Sequence, residues 1–557
     1  MSKQHGMVRG WALATVLCLA ATMAATQQPP SAAAPQTQAL PTGKITPEQA
    51  RQLFGLVDEL IKFSSEETGL PIKSQVKRQI TSRAAVASYL KEKFEEDESA
   101  KRMQRSEIVL KKFGLLDRDF ALKPFLLALL KEQIEAYYDA KTKTVYMLDW
   151  VDIEEQKPVL AHELTHALQD QHSDLEKWNN QSPDEVSLNF SGDTDHIAKD
   201  EMDTAREAVV EGQATAVMMD YILKPMGKSL VKNPEVSELV KQQISVSQDS
   251  PILARAPLLL SESLLFPYRE GLSFEQDVWM DQGQTAAFAG AMDHPPTSSW
   301  EILNPREYEK RHVPAVPLLP NIHPLVDPLY KPYDIGQLGQ LDVHILTELF
   351  GGEQAASDLT PAWDGGLYWA GQRLSAKTPA DQASTNSIAI FYLSAWKNAA
   401  SARAFARIYA DELDRKYSGV KLVSADERAA PAGRSSRYTV FPPAAPPPAD
   451  SAVSAPASLP GEQVYSTNEG PVVITTRGKL VFVAESFPLE LARKLTALVL
   501  DAQGSGELKM AQAAQPVGLQ AQPTIEPLTA NLIRFFSNCG VMKAAVDAAV
   551  KAAVSAR

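Results

Sequence analysis

Apolar residues recur at helical spacing through most of this chain. Leu53, Leu56, Val57, Leu60 and Ile61 form one such stripe. Thr46-Pro47-Glu48 opens it with a cap residue, a proline at the first position and an acid in the first turn. A second helix is predicted from Ser82 through Val86, Tyr89 and Leu90, and the charged run 91–105 reads as a solvated face. Phe113-Gly114 marks a helix end, and 125–133 predicts another helix. The pattern then changes. Residues 134–139 and 144–148, on either side of Ala140-Lys-Thr-Lys143, predict a short hairpin. Such a strand can pair with an extended peptide or simply support its neighbours.

Helical spacing returns over 157–172, with Pro158 expected in the first turn. Residues 173–200 are polar and predict a loop. Residues 201–222 predict a helix with a broad apolar face built from Val209, Val210, Ala214, Val217, Met218 and Tyr221. Gly212 costs that helix about 1 kcal/mol relative to Ala, which points to another backbone close by. The helix over 157–172 is the expected neighbour. Further helices are predicted at 236–246, at 258–265, from Phe266, at 335–350 and at 354–359, with an irregular turn at 293–305.

From residue 361 the texture differs. Strands are predicted at 366–370 and 387–393, a helix at 401–413, a hairpin over 472–483 and a helix at 489–500. That order predicts a small two-layer α+β module over 361–505, interrupted by a Pro/Ala-rich insertion at 442–460. A linker from 506 leads to an amphipathic helix with a stripe of Val546, Val550 and Val554. The fold class expected is α+β, mainly helical, with the principal domain at 45–360.

Composition narrows the function classes. At 44% hydrophobic and 22% charged, the 557 residues are ordinary globular protein. A formal charge of −13 argues against nucleic acid and against an anionic membrane surface as partner. Lys3, Arg9, the apolar run 11–21 and the small residues at 22–26 predict a signal peptide over 1–25 and export to the periplasm or beyond. An uncleaved N-terminus would instead anchor the chain at a membrane. A Pro/Ala/Gln linker follows to residue 44, and no later segment of the mature chain has a spanning length of apolar residues. Cleavage leaves Cys539 alone, so no internal disulfide is expected.

The chemistry concentrates in His162-Glu163-Leu164-Thr165-His166. On a helix, residues four apart differ by about 40° in direction, so both imidazoles can hold one metal ion. Glu163 lies between them, placed to serve as general base toward a water on that metal. Two histidines at i, i+4 with an intervening Glu are the zinc-protease arrangement. Zn2+ is the cofactor implied and a peptide or protein the substrate. Tyr268, Tyr308, His323 and His344 are candidates for stabilising the oxyanion. A rival expectation is a binding or assembly protein in which the metal is structural; an intact Glu163 argues against it.

His-Glu-Leu-Thr-His-Ala-Leu-Gln-Asp-Gln at 162–171, with Val-Glu-Gly-Gln-Ala at 210–214, resembles the gluzincin group of zinc metallopeptidases. More closely, it is similar to a set of exported, largely uncharacterised bacterial proteins of that type. Tyr137-Tyr-Asp139, the stretch 295–305 and 362–368 match the same set, and the resemblance covers roughly residues 50 to 500. It implies a zincin-like fold and peptide hydrolysis. One departure stands out: Asn304 occupies a position where such proteins carry His.

Three residues compete as third ligand: His172, Glu207 and Glu211. If the helix continues past His166, His172 is turned about 80° away and displaced about 15 Å along the axis from His162. Glu207 and Glu211 share one face of the next helix. Glu211 precedes Gly212 and Ala214, and Glu-Gly-x-Ala resembles the ligand-bearing helix of gluzincins. Glu211 is therefore the expected ligand, and Glu207 is expected to orient a ligand histidine.

Overall fold

The computed structural model describes residues 45–96, 98–179, 181, 189–243, 250–425, 459–504 and 550–551. The chain divides into two units, 1–43 and 44–557, and the first lies wholly outside the described residues. The expected signal peptide and linker therefore lie outside them. So do most of the 442–460 insertion, the side chains of 93–105 and nearly all of the 506–557 tail.

The second unit is α+β and mainly helical. Its first half carries helices α1 (Pro47–Thr68), α2 (Arg83–Glu96), α3 (Glu98–Phe113), α4 (Leu122–Gln133) and α5 (Ile153–Ser173). Then come α6 (Leu175–Trp178), α7 (Phe190–Lys199), α8 (Met202–Leu223), α9 (Glu235–Gln243) and α10 (Leu258–Gln282). Thr46 closes a capping box with Gln49 at the start of α1, as the Thr-Pro-Glu signal implies. Among the described residues, no helix is long and apolar enough to cross a membrane.

A three-stranded sheet, β1 (Lys77–Thr81), β2 (Tyr137–Asp139) and β3 (Thr144–Leu148), has the order β1-β3-β2. The hairpin is the one expected from the pattern. Its parallel partner β1, Lys-Arg-Gln-Ile-Thr, is too charged to read as a strand from sequence. This sheet fixes α5 at both ends. The Gln156 amide exchanges hydrogen bonds with Leu148 N and O, each 3.1 Å, and Tyr138 Oη donates to Asp170 Oδ2 at 2.7 Å.

Several expectations give way. Helix α5 starts at Ile153, capped by Asp152, so Pro158 sits in its second turn. The region 173–200, expected as loop, contains α6 and α7. Polar residues are buried there because they are paired: Asp193 Oδ2 lies 2.9 Å from His323 Nε2. The two helices expected on either side of Phe266 are one, α10, because its buried face continues through Pro267 to Phe274. The turn at 293–305 includes a helix at Ser299–Leu303, and a second begins at Pro305.

The second sheet has seven antiparallel strands. They are β4 (Tyr330–Gln337), β5 (Trp363–Arg373), β6 (Ile388–Trp396), β7 (Lys421–Ala425), β8 (Glu462–Thr467), β9 (Gly470–Arg477) and β10 (Leu480–Glu485). Their order is β4-β5-β6-β10-β9-β8-β7. Ile335-Gly336-Gln337, expected as helix, belongs to β4, where Ile335 pairs with Trp369. The 360/361 boundary thus falls between two neighbouring strands of one sheet. Buried Lys112 of α3 also reaches into it, donating to Glu469 Oε2 at 2.8 Å and Ser486 Oγ at 2.6 Å.

The module is not two-layered. The helix Ala399–Asp411 packs on one face over Val472, Ile474, Val481 and Val483. The helix Leu489–Ala502 packs with Val473, Phe482 and Phe391, which point the other way. Both alternating sets along β9 and β10 are apolar, which is the pattern of a sheet covered on both faces.

Gly212 has the close backbone neighbour its position implies, but that neighbour is α10 rather than α5. A Cβ on Gly212 would lie 2.3 Å from Gly271 O, and one on Gly271 would lie 2.2 Å from Ala208 O. Helix α8 packs against both α5 and α10, and the glycine pair serves the second contact. Gly212→Ala should therefore lower the thermal midpoint, at a cost of at least ~2 kcal/mol, because backbone cannot yield as a side chain can. Exposed Gly55 of α1 has nothing within 4 Å of such a Cβ, so Gly55→Ala should raise stability by up to ~1 kcal/mol. Equal midpoints for the two variants would contradict this packing.

Candidate metal centre

Helix α5 presents His162 and His166 from one face, and α8 brings Glu211 against them. His162 Nε2 lies 3.1 Å from Glu211 Oε2 and 3.0 Å from His166 Nε2. His166 Nε2 lies 3.6 Å from Glu211 Oε2. Zinc bound at 2.0–2.1 Å by tetrahedral ligands would separate their donor atoms by about 3.3–3.4 Å. The three edges here straddle that value, so the donors already form one face of such a tetrahedron. Among the described residues, this is the one group of three or more His, Cys, Asp or Glu side chains close enough to hold a metal ion.

The site is deeply buried. His162 and Glu163 are 0% exposed, Glu211 is 1% and His166 is 8%. Burial alone would strip charge from His166, but Glu211, then Glu163 and Gln169, hold its pKa above the ordinary value. Burial would likewise raise Glu211, but His166 and His162 hold it below the usual carboxylate range. Each therefore favours the charged form of the other, and a divalent cation held there would replace a proton on the same atoms.

Tyr268 of α10 completes the group. Its ring stacks on His162 with centroids 6.2 Å apart. Burial, followed by the charges of Glu211, Glu163 and Glu207, pushes the phenol's pKa far above its usual value, so it remains an O–H donor. The other three oxyanion candidates have partners elsewhere. Tyr308 Oη donates to His294 O, His323 pairs with Asp193 and Asp327, and His344 pairs with Thr360 and Glu348.

The competing third ligands also separate. Helix α5 runs on through His172, whose Nε2 lies 3.0 Å from Asp293 Oδ1. Glu207 is buried one turn before Glu211 and accepts from Asn179 Nδ2 at 2.9 Å. It tethers the chain leaving α6, a contact that sequence spacing did not indicate. Asn304 donates to Trp300 O at 2.7 Å and to Gln340 Oε1 at 2.9 Å, so its side chain serves a packing contact.

Sequence reasoning missed the two glutamines behind the site. Gln169 Oε1 lies 2.9 Å from His166 Nδ1, and Gln169 Nε2 donates to Val210 O and Gln213 Oε1. The signal was present: Gln169 follows His166 by three residues, on the same helix face. Comparisons with protein-family models, with curated proteins and with solved structures find no match.

Proposed function

We propose that this protein is an exported zinc metallopeptidase of zincin-like fold, hydrolysing peptide bonds at the His162–His166–Glu211 centre. The observation that carries the reading is the convergence of those three donors with Glu163 beside them. His162, His166 and Glu211 would hold the ion. When bound, zinc supplies a Lewis acid that lowers the pKa of a water toward ~7. The Glu163 carboxylate takes the proton of the attacking water and returns it to the leaving amine. The Tyr268 O–H donates to the carbonyl oxygen as negative charge develops there.

The test is hydrolysis of an unstructured protein by the purified chain, lost on chelation and restored by zinc. No hydrolysis by a zinc-loaded chain would reject the reading. Tyr268→Phe should lower turnover about tenfold, the scale of one hydrogen bond of ~1.4 kcal/mol. Unchanged turnover in that variant would remove Tyr268 from the mechanism.

The burial of His162, Glu163 and Glu211 favours a second reading, a structural metal within a binding or assembly protein. In that case chelation would lower the thermal midpoint of a chain that cleaves nothing.

A further inference from the structure

His166 Nδ1 lies 2.9 Å from Gln169 Oε1. An amide can offer either oxygen or nitrogen, so this contact alone does not fix where the hydrogen sits. The direction is set further back. Gln213 Nε2 lies 2.9 Å from Ala287 O and 3.0 Å from Phe288 O. Backbone carbonyls only accept. The NH2 of Gln213 must therefore face them, which turns its Oε1 toward Gln169 Nε2, 2.9 Å away. Val210 O, 3.0 Å from the same nitrogen, imposes the same orientation. Gln169 Oε1 is left to accept, so His166 Nδ1 must carry the hydrogen. The Nε2 atom is then the one turned toward Glu211 and His162.

Both glutamines are 0% exposed, so their amides are out of reach of bulk water. The chain of bonds starts in a π-helix, Ala286–Gly290, whose carbonyls at Ala287 and Phe288 receive the Gln213 amide. Short π segments often mark functional sites. His162 is held differently. Its Nδ1 is buried and has no hydrogen-bond partner among the described residues.

We infer that Gln169 and Gln213 form a directional relay that fixes the Nδ1–H tautomer of His166 and so presets Nε2 as a metal ligand. They are positioning residues, and the inference rests on the metal-centre reading above. Glutamine is required at both places. A carboxylate at 169 could accept from His166 but could not donate to Val210 O. A carboxylate at 213 could not donate to the π-helix.

The experiment measures zinc affinity by chelator competition in the full chain, for wild type, Gln169→Leu, Gln213→Leu and the double variant. Gln169→Leu should weaken zinc by ~10–100-fold, the scale of a lost partner behind a ligand histidine. Gln213→Leu should weaken it less, and the double variant should fall no further than Gln169→Leu alone. Independent losses would instead multiply. A second measurement needs no variant: nitrogen-15 spectra of histidine-labelled, zinc-loaded wild type should show the His166 hydrogen on Nδ1. If wild type takes up no zinc, the metal-centre reading fails and the relay fails with it. If wild type binds zinc while both single variants bind within twofold of it, or if the hydrogen is on Nε2, the relay alone is overturned.

Discussion

Glu163→Gln should keep its fold and its zinc while losing peptide hydrolysis by at least ~100-fold, the scale of a lost general base. The substitution is close to isosteric, and the side chain is fully buried on α5, in the residue next to His162. An amide fills the same space but cannot take a proton from water. The three donors to the ion are untouched, so zinc content should match wild type. A structural metal has no need of a base beside it, so the same variant separates the two readings. Under the structural reading there is no hydrolysis to lose. If the zinc-loaded variant turns over substrate at the wild-type rate, Glu163 is not the base.

The histidine pair was legible because its geometry is local. Four residues of one helix set the direction of both rings, and Asp152, Gln156 and Asp170 merely hold that helix in place. Glu211 was legible for a partly mistaken reason. Gly212 does mark a close approach, but it faces Gly271 of α10, and sequence cannot say which helix supplies the opposing backbone. What failed to show was polar and buried. Helix α7 reads as loop because Asp193 and His196 sit inside, with His323 arriving from 130 residues away to pair with Asp193. Strand β1 hides behind Lys77 and Arg78. Strand β4 merges into the following helix in an unbroken helical reading, since only its pairing with β5 marks where the strand ends. The glutamine pair is silent for the same reason: an amide acquires meaning only when its partners, Val210 O and the π-helix carbonyls, are in place.

Those same long-range placements decide the metal affinities expected for the three candidate ligands. Glu211→Ala should lose zinc most severely, by more than the ~10–100-fold typical of a group behind a ligand. The variant removes the one carboxylate that, among the described residues, joins both imidazole Nε2 atoms in one group. It also leaves the facing Nε2 atoms of His162 and His166, 3.0 Å apart, without the carboxylate that lies within 3.6 Å of both. Glu207→Ala should act differently. Its bond to Asn179 tethers the segment after α6, so the loss should fall on stability and on zinc only moderately. His172→Ala should leave zinc unchanged, because His172 has followed α5 away from the site and pairs with Asp293. Zinc affinity measured in the three single variants therefore orders the residues by their distance from the ion. Should Glu211→Ala bind zinc as tightly as wild type, the centre is not built on α8 at all, and the proposed His162–His166–Glu211 site falls with it.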